Sequence, residues 1–172
     1  TMPVACGAVS TELDRIAAIN DRKQLLSYLS RAQLLMIDNP IGAQIFADAK
    51  NPDLNTLWVT QSGFGLPERD YYFSTDQRFT EIRGAYEQHI DNVFKLTGRK
   101  DSAAVAKDLM AFETRLAKAS WPAVKLRDIE ALYNPMTVAE LQRLGPVLAL
   151  KDFLDAAGLS DVSRVIVGEK SA

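Results

Sequence analysis

Apolar residues return at helical spacing in one capped stretch after another, and this repetition limits what the chain can fold into more than any single motif does. Asp21 offers an N-cap with Gln24 three residues on, and Leu25, Leu29, Ala32 and Met36 then share one face of a helix over residues 22–36. Asp38-Asn39-Pro40 stops it, because proline lacks a donor and biases the residue before it away from helical geometry. Ser74-x-x-Gln77 has capping-box spacing and opens a long helix to about Thr97, with the stripe Phe79, Ile82, Tyr86, Ile90, Val93 and Gly98 as its C′ residue. Asp101 precedes a further stripe of Val105, Leu109, Phe112 and Leu116. Shorter helices are expected over residues 12–19, after the Thr137-x-x-Glu140 box as far as Gly145-Pro146, and over residues 151–157 before Gly158.

Strand signals are fewer. Residues 43–48 and 56–61 flank Asn51-Pro52-Asp53, and the second run, Thr56-Leu57-Trp58-Val59-Thr60, is rich in β-formers. The pattern predicts a β-hairpin with a loop of about six residues, and residues 162–167 form a terminal strand candidate. The fold class is therefore mostly α: a multi-helix domain with a small β-hairpin and a short C-terminal strand. No repeat, low-complexity tract or linker divides it, so residues 1–172 read as a single unit. The 47% apolar and 24% charged residues suit a globular core of this size.

Several chemistries lack the residues they need. A net charge of −2 with scattered Lys and Arg gives no footprint for nucleic acid, and no run approaches the ~18 apolar residues of a membrane span. The start, from Thr1 to Ser10, lacks the basic and apolar regions of a signal peptide. Catalytic zinc needs several imidazoles and carboxylates meeting at one point, and the chain has one histidine, His89, and one cysteine, Cys6. His89 lies beside the Tyr86–Ile90–Val93 stripe and reads as a helix-flank residue at the core edge. Cys6 would need an adjacent base to act as a nucleophile and sits among small residues near the terminus. Glu68 and Asp70 flank Arg69 and read as turn-stabilising or solvated rather than as an acid–base pair. Gly63-Phe64-Gly65 lacks the Gly, Lys and Ser/Thr that complete a phosphate loop. No residue is thus assigned a catalytic, cofactor-binding or metal-binding role. The aromatic concentration Tyr71-Tyr72-Phe73 with Trp58 and Phe64 is either a core patch anchoring the loop or one wall of a cleft.

The run Gln61-Ser62-Gly63-Phe64-Gly65-Leu66-Pro67-Glu68-Arg69-Asp70-Tyr71-Tyr72-Phe73 resembles the Q-x-G-L-G-L-P-x-R-D-Y-Y segment of the neprilysin and endothelin-converting-enzyme family of zinc metallopeptidases. Other stretches match that family in order. Asp48-Ala49-Lys50-Asn51 resembles its D-x-K-N loop, and Tyr86 with His89-Ile90 its Y-x-x-H-I pattern. Glu113 to Ala117, Arg127-Asp128 and Tyr133-Asn134-Pro135-Met136-Thr137 resemble E-x-x-L-A, R-D and Y-N-x-M-T. The likeness runs from about Glu12 to Val167. The family's H-E-x-x-H and downstream E-x-x-x-D are absent, as is its opening F-Y-x-Y-x-N-G-x-W pattern. Phe64 stands where Leu is common, Pro122 to Leu126 departs from the usual run, and the region of Ala149-Leu150 lacks a tryptophan often found there.

The resemblance implies an internal part of the family's N-terminal, non-catalytic helical lobe, which faces the zinc-bearing lobe across a cavity that encloses peptides. On this reading zinc belongs to the parent enzyme and not to this chain, and the chain alone is not an enzyme. Its partners are the catalytic lobe of the same polypeptide and the parent's peptide substrates, with no nucleic acid and no membrane contact. The parent is expected outside the cytoplasm, as a periplasmic, secreted or lipid-anchored protein. The alternative is a free-standing helical interaction module that has lost the catalytic half.

Overall fold

Helix capping and strand pairing divide the chain much as its sequence is punctuated. The computed structural model describes residues 4–146 and 149–170. In chain order the elements are α1 (Val4–Ala17), α2 (Arg22–Leu34), β1 (Ile41–Asp48), β2 (Asn51–Gln61), a 3₁₀ turn (Arg69–Tyr72), α3 (Gln77–Leu96) and α4 (Ser102–Ala119). A second 3₁₀ turn (Lys125–Arg127), α5 (Ile129–Leu132), β3 (Asn134–Thr137), α6 (Val138–Leu144), α7 (Leu150–Ala156) and β4 (Arg164–Val167) complete it. The fold is mostly α with a small sheet of strand order β1-β2-β4-β3. No helix among the described residues is long and apolar enough to cross a membrane. Where the sequence offers no linker, the backbone nevertheless clusters into two compact units, Thr1–Asn39 with Pro135–Val165 and Pro40–Asn134 with Ile166–Ala172.

In the first unit α1 begins upstream of the expected residue 12, because Ala5 and Ala8 carry good helix propensity where the apolar spacing is silent. Asp21 caps α2 as expected, its carboxylate accepting from the Gln24 amide at 2.8 Å, but the Gln24 side chain accepts from the Asn20 amide instead of closing the box. The buried face of α2 is Leu26, Ser30 and Ala32, so of the expected line Leu25, Leu29, Ala32 and Met36 only Ala32 is buried, while Leu25 and Met36 are exposed. Two physical reasons account for the shift. The Ser30 hydroxyl sits 2.9 Å from both the Leu26 and Phe153 carbonyls, so α7 approaches along a small residue. Met36 meanwhile lies past the helix end, 92% exposed, with φ of 57°. There it forms the left-handed residue of a Schellman cap: the Ile37 amide donates to the Ala32 carbonyl at 2.8 Å and the Met36 amide to the Gln33 carbonyl at 3.1 Å. The capping box of Thr137 and Glu140 forms in full at the start of α6, and Leu141, Leu150, Phe153 and Leu154 fill the core beside it.

In the second unit the hairpin differs from its expected form. Only Ala49 and Lys50 separate the strands, so the turn precedes Asn51-Pro52-Asp53 instead of containing it. The register runs Ala47↔Asn55 and then Asp48↔Asn51, and the irregularity leaves Pro52 outside the paired positions, where its missing donor is harmless. Asp48 builds the turn: its carboxylate accepts from the Lys50 amide at 2.9 Å and from the Tyr133 hydroxyl at 2.8 Å. Asp76 rather than Ser74 caps α3, accepting from the Arg78 amide at 2.8 Å. Gly98 takes the left-handed C′ position as the sequence indicates, with φ of 82°. The stripe Phe79, Ile82, Tyr86 and Ile90 faces inward, whereas Val93 is exposed and Phe94 half-buried takes the last turn. Asp101 precedes α4 without a side-chain capping bond, its carboxylate being held by Arg99 at 2.8 Å.

On α4 the buried row is Ser102, Ala106, Glu113 and Ala117, so the expected stripe through Phe112 is displaced by one residue. Phe112 is 41% exposed and Glu113 only 5%. Small side chains let α3 close on this row, and a carboxylate sits in the middle of it.

Candidate functional site

That buried carboxylate organises the loop after the hairpin. Glu113 Oε1 accepts from the Tyr86 hydroxyl at 3.0 Å, and Oε2 accepts from the Tyr72 hydroxyl and from the Gly65 amide at 3.3 Å. The Leu66 amide donates to the Tyr72 oxygen at 3.1 Å. With two phenols and a backbone amide as donors, Glu113 is satisfied without a cation, as a buried acid must be. Burial, with Glu113 beside it, pushes the Tyr86 phenol up to about 12. Burial and the hydrogen bond to Glu113 raise Tyr72 as well. Ionising either phenol would place a second negative charge next to the carboxylate.

Gly65 explains why this stretch needs a glycine. A Cβ there would overlap the Tyr86 hydroxyl and Cζ outright and lie 3.2 Å from Cε2. Gly63 contributes differently, turning the chain with φ of 87°. The aromatic concentration is a core patch: Leu66, Tyr72 and Ala117 are buried together, with Phe64, Tyr71, Phe73, Ile82, Tyr86 and Met110 packed against them. Phe64 and Tyr72 lie 5.7 Å apart between ring centres, and Tyr71 and Phe79 4.8 Å. Trp58 is not part of it and packs edge-on against Tyr133 at 6.3 Å.

The braced loop forms one side of a cleft of about 420 Å³. Phe64, Leu66, Pro67, Trp121 and Leu126 line it, and Gln61, Arg69 and Glu169 add polar groups. The Lys125 ammonium lies 3.3 Å from the Trp121 ring centre and holds that indole in place. Gln61 donates through Nε2 to the Leu116 carbonyl at 3.1 Å, and its backbone N–H donates to the Glu169 carboxylate at 3.1 Å. Phe64 and Leu66 therefore belong both to the aromatic patch and to the cleft lining.

The residues weighed for chemistry do not converge. His89 is exposed on α3, Cys6 falls in α1 where side chains lie outside the described residues, and Glu68 and Asp70 are exposed in the loop. The Asp70 carboxylate meets Arg69 at 3.5 Å, while its carbonyl accepts from the Phe73 and Ser74 amides. No group of three or more His, Cys, Asp or Glu among the described residues is placed to hold a metal ion. What the spacing argument missed is Glu113, whose signal is its place between Ala106 and Ala117, seven and four residues away on one helical row.

Comparison with known proteins fits this arrangement. Residues 6–172 match the sequence model of peptidase family M13. Human endothelin-converting enzyme 1 is 38% identical over 114 residues, covering 64% of this chain and 15% of the relative. Neprilysin-3 of Drosophila melanogaster is 31% identical over 118 residues, covering 67% of this chain and again 15% of the relative. Among solved structures, the Mycobacterium tuberculosis zinc metalloprotease Zmp1 in complex with inhibitor superposes with a TM-score of 0.89 at 30% identity, over 96% of this chain and 26% of that one. The open state of the same protease gives 0.83. The match thus spans about a seventh of the length of these curated relatives.

Proposed function

From the premise that this chain belongs to peptidase family M13, in its N-terminal region, we propose that it is the non-catalytic, substrate-enclosing lobe of a neprilysin-like zinc metalloendopeptidase. One observation carries the reading: nearly all of this chain superposes on about a quarter of a zinc metalloprotease. A helical segment of that share has room to be a wall and not the whole of the enzyme.

The chain's own residues do not fit the zinc site. His89 and Cys6 are the single imidazole and single thiol, and no group of three or more His, Cys, Asp or Glu among the described residues is placed to hold a metal ion. Zinc, the general base and the bond-breaking step therefore belong to the remainder of the parent polypeptide, which is this lobe's partner, and peptides are the parent's substrates. The lobe's contribution is physical. A rigid helical wall keeps bulk water from a closed site and limits what enters by size. The Glu113 brace suits that role, since it fixes a loop through buried hydrogen bonds rather than leaving it to fluctuate. A parent of this kind works outside the cytoplasm, in the periplasm or as a secreted or lipid-anchored enzyme.

The test is an assay of the isolated chain with added zinc on unstructured peptides. No EDTA-sensitive turnover is expected. Specific hydrolysis that EDTA abolishes would make this chain catalytic and end the proposal.

A further inference from the structure

The β-hairpin ends the sheet in an open edge. Among the described residues β1 pairs with β2 alone, and the order β1-β2-β4-β3 leaves its other side without a strand. The register tells which groups point that way. The Ser62 amide donates to the Pro40 carbonyl at 3.2 Å, and on the opposite side of β2 the Gly168 amide donates to the Val59 carbonyl at 3.0 Å. Antiparallel pairs alternate, so Gly42, Gln44 and Phe46 bond to β2. Ile45 and Ala47 turn their N–H and carbonyl groups outward, with no strand to meet them among the described residues.

Folded proteins blunt such an edge with charge, proline or a bulge. Residues 41–47 contain neither charge nor proline, and the irregularity of register comes only after them, between Ala47 and Asp48. Ile45 and Phe46, adjacent and so on opposite faces of the hairpin, are 58% and 56% exposed. Backbone groups and both faces are thus bare over the same few residues, which is the complement of an extended segment.

Such a segment comes either from a second copy or from the same polypeptide, and length favours the second. The matched stretch is 15% of human endothelin-converting enzyme 1, and this chain covers 26% of the Zmp1 protease. A tethered segment meets the edge at an effective concentration on the order of millimolar, which a separate copy does not reach unless concentrated. The neutral edge also sets the segment's chemistry, because a charge at a paired position would lose water with no counter-charge to replace it.

We propose that the β1 edge at residues 45–47 is an interaction surface for strand addition, taken by a short, uncharged, extended segment of the parent polypeptide from outside residues 1–172. The inference rests on the reading above only in that this chain is one part of a longer protein.

Amide hydrogen exchange of the full-length protein, resolved to single residues, tests it. The Ile45 and Ala47 amides are expected to exchange at least about a hundredfold more slowly than in an unstructured peptide. Ile45→Lys charges an exposed side chain on the edge and should speed exchange of Ala47 about tenfold, the weight of one hydrogen bond. The Phe46 amide, bonded to β2, should keep its protection in that variant and so reports that the hairpin is intact. If Phe46 loses protection too, the unsubstituted protein and the crosslink decide. For the crosslink, benzoylphenylalanine replaces Phe46, and irradiation should join it to a peptide from outside residues 1–172 within one molecule. Unprotected Ile45 and Ala47 amides, a crosslink to a second copy, or a crosslink only within residues 1–172 would each overturn the proposal. Turnover by the isolated chain would end the enclosing role yet leave the exchange untouched, so the two failures are separable.

Discussion

Replacing Gly65 by alanine adds one methyl group to an exposed loop, where substitutions ordinarily change stability little. Here the structure gives a different answer. The new Cβ would occupy the space of the Tyr86 hydroxyl and Cζ, and the tyrosine ring has to leave. Moving it breaks the 3.0 Å bond to Glu113 Oε1 and loosens the packing around Tyr72 and Leu66. Overpacking of this kind costs about 1–3 kcal/mol. A lost hydrogen bond to a charged acceptor adds about 1.5–3 kcal/mol. Because the two events share one side chain they do not add fully, and a net loss of about 3 kcal/mol is expected. For a chain of this length that corresponds to a fall in Tm of roughly 6–12 °C. Urea unfolding of the wild type, Gly65→Ala, Tyr86→Phe and the double variant measures it as a cycle. The double variant should be less destabilised than the sum of the singles, since removing the hydroxyl removes both the clash with Oη and the bond at stake. A Gly65→Ala loss below about 0.5 kcal/mol, or strict additivity in the cycle, would refute the reasoning.

Glu113→Ala should destabilise by about 3–5 kcal/mol, because it strands two phenols and an amide in the interior, and Glu113→Gln should cost less by keeping the shape; denaturant unfolding compares them. Raised phenol pKa values for Tyr72 and Tyr86 mean that their stabilisation is complete below pH 10 and is lost as pH climbs from 10 through about 12, so thermal stability should fall over that window and fall less in Tyr86→Phe. Met36→Gly should raise stability by about 1 kcal/mol, since it relieves a left-handed β-carbon at an exposed cap; calorimetry reads the gain.

The elements that could be read from sequence were those with local causes. The Thr137 and Glu140 box, the Asp21 cap and the Gly98 and Gly158 stops depend on residues within one turn of each other, and each stands where its residues place it. The hairpin was legible as two strands but not as a turn, because Asp48 holds the turn with help from Tyr133, 85 residues away. The face of α4 was misjudged by one position, and that of α2 at every position but Ala32, for a related reason. Periodicity weighs large apolar residues, whereas the contacts are made through Ser30, Ala106 and Ala117, and closeness of backbones decides which face is buried. Glu113 stayed hidden among the surface charges, since its partners Gly65, Tyr72 and Tyr86 lie 27 to 48 residues upstream. The family likeness did mark these positions. Asp48 and Lys50 come from one matching stretch and Tyr133 from another, and they meet at one turn, while Gly65, Tyr72, Tyr86 and Glu113 come from three others and meet at the brace.

The most direct test of the central claim is anomalous diffraction at the zinc edge from crystals of the full-length protein. The account predicts a well-occupied zinc peak whose protein ligands all lie outside residues 1–172. A peak coordinated by His89, or by any side chain of this stretch, would contradict it.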